Sequence, residues 1–349
     1  MRSQRPNRRD FLKASAAAAI FAPSVARAQA RKVTLGIVNT ISDAPYFIAD
    51  ARGHFRDEGL AVEILPFPSG AKMISSLSTG DLDISGGAVS AGLYNANERE
   101  IAIKIVADKA RNGPGYGFQS IIVRKDLIDS GKVKGLSDLK GLKVAIPAVG
   151  SVGEQSTLNQ ACIKGGIKFE DVERVFIATA DMFAAMSNKA IDATIVAEPI
   201  VSLAAQRGVA TRLLRVDEFY PDQQAAVTTF GAPFVKRREI AEAFMRGYLR
   251  GVHVYNDSLK GGRIAGKDAS EMISIIAKYS GVKDETLLRN VVPAACHADA
   301  MPNLEGLQTD LRFIQGLGLV DKKLTVDQVV DLSFLKAAQQ KVGMYSRKG

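Results

Sequence analysis

The polar groups best suited to holding a small molecule gather in short segments, each following an apolar run. In Asn39-Thr40-Ile41-Ser42-Asp43-Ala44-Pro45-Tyr46 the proline reads as the first helical residue. Thr40, Ser42 and Asp43 then bring side-chain oxygens, and Ala44 a backbone N–H, to a helix N-terminus. Ser42 or Asp43 serves equally well as a plain helix cap, and capping is compatible with ligand contact. In Gly86-Gly87-Ala88-Val89-Ser90 the small residues Gly87, Ala88 and Ser90 allow close backbone approach to another molecule. In Ala148-Val149-Gly150-Ser151-Val152-Gly153-Glu154 an apolar strand runs into a glycine-containing loop and a helix start. The N–H groups of Gly150, Ser151 and Val152 would form a nest suited to a carboxylate, sulfonate or phosphate oxygen. This segment lacks both the full dinucleotide fingerprint and the lysine of a phosphate loop, which excludes nucleotide binding.

Glu198 lies between an apolar strand and the proline-started helix at Pro199, so it is either a charged contact at a strand tip or an acid placed for the helix dipole. Asp43 and Glu198 together would favour a ligand with amine or amide donors, and a doubly anionic ligand would need Arg111 to compensate. Tyr46, Tyr116, Phe183 and Phe230 are candidate flat walls for an organic solute, and each is equally suited to an ordinary core. The same inventory argues against catalysis. His54, His253 and His297 are not spaced with carboxylates as a metal site requires, no Ser-His pairing is visible, and Cys162 and Cys296 read as two separate buried thiols. No metal and no cofactor is expected.

These segments need elements to hold them. Residues 33–38, 61–65, 83–85 and 101–107 read as strands, with helices opening at Pro45 and spanning 71–78. A second unit has strands at 120–123, 143–146, 174–177 and 193–196, with helices from about Glu154, Asp181 and Ile200. Such alternation implies parallel sheets whose strand-end loops share one edge, where a ligand should sit. Beyond Pro233 the pattern is almost wholly helical, at 239–260, 269–279, 284–290, 304–317 and 326–340, and a helical tail needs a sheet to cover. The expected organisation is α/β with two lobes, 31–110 with 225–349 and 111–224. The chain would cross a hinge near 108–118 and 215–230, with the helical tail packed on the first lobe.

The N-terminus reads as an export signal: Asn7-Arg8-Arg9-Asp10-Phe11-Leu12-Lys13, an alanine-rich apolar run over 14–22, and the small-residue pattern Ala26-Arg27-Ala28. That run is too short to cross a ~30 Å hydrocarbon core. Residues 1–30 are expected to be a twin-arginine-type signal peptide, leaving a free, soluble periplasmic protein. The formal charge of +9 falls to +4 beyond residue 30, where 40 basic residues face 36 acidic ones. Basic residues are scattered, and Lys236-Arg237-Arg238 reads as a solvated helix start, so no nucleic-acid partner is expected.

Pro45-Tyr46-Phe47-Ile48-Ala49, Gly53-His54-Phe55-Arg56-Asp57-Glu58-Gly59-Leu60 and Leu77-Ser78-Thr79-Gly80-Asp81-Leu82-Asp83-Ile84 resemble segments of solute-binding proteins of ABC importers for sulfonates, taurine, nitrate and thiamine-precursor pyrimidines. Leu136-Ser137-Asp138-Leu139-Lys140-Gly141-Leu142-Lys143, Ala184-Ala185-Met186-Ser187-Asn188-Lys189-Ala190-Ile191-Asp192-Ala193 and Glu198-Pro199 extend the likeness over about residues 33–340. The resemblance implies a type 2 periplasmic binding protein fold, a small-molecule solute held between two lobes, and an ABC permease in the inner membrane as transient partner of a monomer. Enzymes share this class. Desulfinases carry a cysteine in the loop after the first strand, and pyrimidine synthases carry a cysteine-rich motif. Neither feature is present, so the resemblance implies a receptor rather than an enzyme.

Overall fold

The computed structural model describes residues 30–346, and the signal-peptide reading of residues 1–30 falls almost wholly outside them. Ten strands form two five-stranded sheets: β1 Arg31–Ile37, β2 Leu60–Pro66, β3 Ile84–Gly87, β4 Lys104–Asn112, β5 Gln119–Arg124, β6 Lys143–Ile146, β7 Glu173–Phe176, β8 Ala193–Ala197, β9 Ala210–Arg215 and β10 Gln223–Phe230. The first sheet runs β2-β1-β3-β10-β4 and the second β7-β6-β8-β5-β9. The chain passes from one sheet to the other over residues 113–118 and returns over 216–222.

The expected all-parallel pairing holds only for part of each sheet. β1 is parallel to β2 and β3, and β6 is parallel to β7 and β8, as crossover helices require. β10 is antiparallel to β3 and β4, and β5 is antiparallel to β8 and β9. Both exceptions involve the strands that leave a sheet crossing: β5 follows β4 through a short Gly-Pro-Gly turn with no crossover helix to restore direction, and β10 follows the return.

Strands β9 and β10 do not show in the hydrophobic pattern. Every residue of β10, QQAAVTTF, is buried, yet half its side chains are polar, so neither alternation nor an apolar run marks it. Its polar groups are satisfied internally. Gln224 Nε2 donates to Asp108 Oδ1 at 2.7 Å, Asn112 Nδ2 donates to Gln223 Oε1 at 2.9 Å, and Thr228 Oγ1 lies 2.7 Å from the Tyr46 hydroxyl.

The tail helix Arg238–Ser258 packs its apolar face on the helix Ala44–Ala51 behind the first sheet, with the Tyr46 and Tyr248 rings tilted at 4.8 Å, and its Phe244 stacks on Phe55 at 4.9 Å. Gly251 permits this approach, because a Cβ there would lie 2.4 Å from the carbonyl oxygen of Pro45. The tail does more than cover one sheet. Its helix Leu304–Gly316 also meets the helix Val152–Gly165 of the second sheet, and Phe313 sets its edge on Phe169 at 5.1 Å. Cys162 and Cys296 are both buried free thiols. Among the described residues no helix is long and apolar enough to cross a membrane.

Candidate functional site

A cavity of about 110 Å³ lies where the strand-end loops of the two sheets meet. The loop after β3 and the loop after β6 touch directly: Ser90 bridges Ser151, and Ala91 N donates to Gly150 O at 3.0 Å. Thr40, Ser42, Ala88, Ser90 and Ser151 line the cavity. So do residues not singled out by sequence, among them Phe118, Gln119, Pro147, Glu154 and Ala225. Phe118 supplies the aromatic surface. It sits in the crossing segment, where neither period nor spacing signals which ring faces a ligand.

The other sequence candidates are placed elsewhere. Tyr46 and Phe230 are fully buried in the core behind the first sheet, the first bonded to Thr228 and the second edge-on to Phe234 at 5.0 Å. Tyr116 packs against that same core. Phe183 packs with Met182 and Met186 under the second sheet, with the Arg207 guanidinium 5.2 Å from its ring centre. Val152 is buried among apolar residues of the first sheet. Gly150 contributes its carbonyl to the loop contact rather than a wall. The space beside Gly87 is taken by Gly70, whose Cα would be 2.8 Å from an added Cβ, so the small residues admit the protein's own chain.

Charge pairing explains the remaining placements. Asp43 is fully buried, 2.7 Å from Lys109 Nζ, and accepts from Thr40 N at 2.8 Å; Lys109 also donates to Ser42 Oγ at 2.8 Å. Burial pushes the Asp43 carboxyl up while Lys109 holds it down. Arg111 is turned away from the cavity, 3.2 Å from Asp108 and donating to Met301 O at 2.7 Å. Glu198 is 1% exposed, 2.7 Å from Arg212, and accepts from Ser202 N at 3.0 Å, so it closes a helix start. Its carboxyl too is raised by burial.

Glu154 differs from these acids. Among the described residues it is the single charged one lining the cavity. Part of the residue stays exposed, but its Oε2 is buried without a hydrogen-bond partner, and burial raises its carboxyl with no basic neighbour to offset it. Ser90 Oγ is likewise buried and unpartnered. Behind Glu154, Asp310 accepts from Ser156 and from the Tyr220 hydroxyl and is pushed up to about 7, mainly by burial and further by Glu154.

A family model described as NMT1/THI5-like matches residues 41–257, more than half of the chain. The protein belongs to this family. A relative from Brucella abortus, named no more closely than as a candidate binding protein, is 29% identical over 67% of each chain. Among solved structures, the zinc-bound ligand-binding component of an ABC-type import system from Staphylococcus aureus has a TM-score of 0.73 at 17% identity, covering 91% of this chain and 100% of its own. The periplasmic nitrate-binding protein of Synechocystis has a TM-score of 0.73 at 17% identity, covering 90% of each chain. This NMT1/THI5-like protein therefore has the periplasmic binding protein fold, and the cavity lies at the junction of its two sheets.

Proposed function

We propose that this protein is the periplasmic solute-binding component of an ABC importer, capturing a small organic solute by hinge closure and delivering it to a membrane permease. The observation that carries the reading is a cavity whose walls come from both sheets, on a chain that crosses between those sheets twice. Residues 31–110 with 225–349 form one lobe and residues 111–224 the other. The solute completes its contacts only when the lobes meet, so binding selects the closed form. A micromolar affinity is worth about 8 kcal/mol, and hinge closure must cost only a few of these for capture to work at useful concentrations. The closed form presents the permease with a surface that the open form lacks.

The candidate solutes are those handled by the class the sequence resembles: sulfonates, taurine, nitrate and thiamine-precursor pyrimidines. The protein acts as a monomer after signal removal and leaves its solute chemically unchanged. Thermal-shift screening against these compounds, followed by small-angle scattering with and without the best hit, tests the reading. A hit that compacts the protein and is recovered intact supports it; a tightly held compound that leaves the scattering unchanged, or is turned over, overturns it.

A further inference from the structure

Three buried acids near the two sheets have basic partners: Asp43 has Lys109, Asp108 has Arg111 and Glu198 has Arg212. Glu154 has none among the described residues, and neither does Asp310 behind it. Among the described residues no lysine, arginine or histidine lines the cavity. Lys109 approaches Ser42 from behind, but Asp43 at 2.7 Å cancels its charge. The geometry points to a ligand that carries a protonated nitrogen on an apolar body, with Glu154 as the group that selects it and Ser90 as a second, neutral contact. This deepens the solute-binding reading and rests on it.

An unsatisfied carboxylate oxygen costs several kcal/mol when buried dry, so its persistence needs a partner that arrives from outside the chain. An ammonium or amidinium nitrogen is such a partner, donating to Oε2 of Glu154 and Oγ of Ser90, two buried and unpartnered acceptors on residues that line the cavity. Phe118, Val38, Pro147 and Ile195 supply apolar surface for the rest of the molecule. An inorganic or sulfonate anion is disfavoured by the same placement. The N-terminus of the helix Val152–Gly165 would attract an anion, but Glu154 stands in its first turn and interacts with its own backbone N–H, so an acid already occupies that field. Burial raises the Glu154 carboxyl in the empty site, and a bound cation returns it to the charged form. A protonated Glu154 could donate one hydrogen bond to an anion, but glutamine would donate equally well, and this separates the two cases.

The test uses matched probes on one apolar body: benzamidine against benzoate, and butylamine against butanesulfonate, by calorimetry on the purified protein and on Glu154→Gln. The expected result is binding of the cationic member of at least one pair, tighter than its anionic partner, and a loss of tenfold or more in Glu154→Gln. Should Glu154→Gln not fold, Ser90→Ala is expected to weaken the same cation three- to tenfold. Tighter binding of the anionic members, cation binding unchanged in Glu154→Gln, or no cation bound at all would overturn the inference. Scattering separates it from the broader reading. An anion that binds and compacts the protein sinks the cation preference and leaves the receptor standing. A cation that binds through Glu154 without compaction does the reverse.

Discussion

Ser156 and Asp310, 154 positions apart in sequence, share a hydrogen bond that ties the helix Val152–Gly165 to the tail helix Leu304–Gly316. Tyr220 donates to the same carboxylate at 2.7 Å from the segment that returns the chain to the first sheet. One buried acid thus joins three separated stretches of chain.

Because the Asp310 carboxyl titrates near 7 in the folded protein and far lower once exposed, the folded state holds the extra proton between about pH 4 and 7. Stability must therefore fall as pH rises through that window, at up to about 1.4 kcal/mol per unit from this group. Asp43, Asp108, Glu154 and Glu198 are raised in the same sense and act in the same direction, whereas His54 and His253, lowered by burial, act against it. Urea unfolding at pH 5, 6, 7 and 8 is expected to show declining stability, with a shallower decline in Asp310→Asn. An identical slope in the variant would refute the assignment.

Lys109 and Asp43 are both fully buried, so removing one leaves an unpaired charge in a dry site. Lys109→Met is expected to cost about 3–5 kcal/mol in chemical denaturation. The double variant Asp43→Asn with Lys109→Met should recover most of that loss, since it buries no charge.

Gly251→Ala tests the approach of the long tail helix to the first helix. An added methyl meets the Pro45 carbonyl at 2.4 Å and Ala49 Cβ at 2.8 Å, both fixed by their own helix. Overpacking of this kind costs about 1–3 kcal/mol, more than the ~1 kcal/mol an alanine contributes in a helix. A lower melting temperature is the expected outcome.

The two thiols are inert by position. Cys162 is pushed up to about 11 and Cys296 is raised well above the ordinary thiol range by burial, so neither is a thiolate at neutral pH. Iodoacetamide at pH 7.5 should leave the native protein unlabelled by mass spectrometry and add two labels after denaturation.

Local pattern carries much of this protein. Strand-to-helix boundaries depend on residues close in sequence, so the loops around 39–46, 86–90 and 148–154 could be read as strand-end loops, and Thr40, Ser42, Ala88, Ser90 and Ser151 on them do line one cavity. The buried polar strand β10 could not be read, because its glutamines and threonines are paid for by partners such as Asp108 and Asn112 more than a hundred positions away. Nor could the fate of each acid. Asp43 meets Lys109 and Glu198 meets Arg212 only after the sheets assemble, whereas Glu154, one residue type among many at a helix start, is left facing the cavity unpaired. Sequence alone determined which segments converge, since backbone period is local. Tertiary structure decided which side chains in those segments stay free for a ligand, since a charge is spent or spared by neighbours that the chain brings from afar.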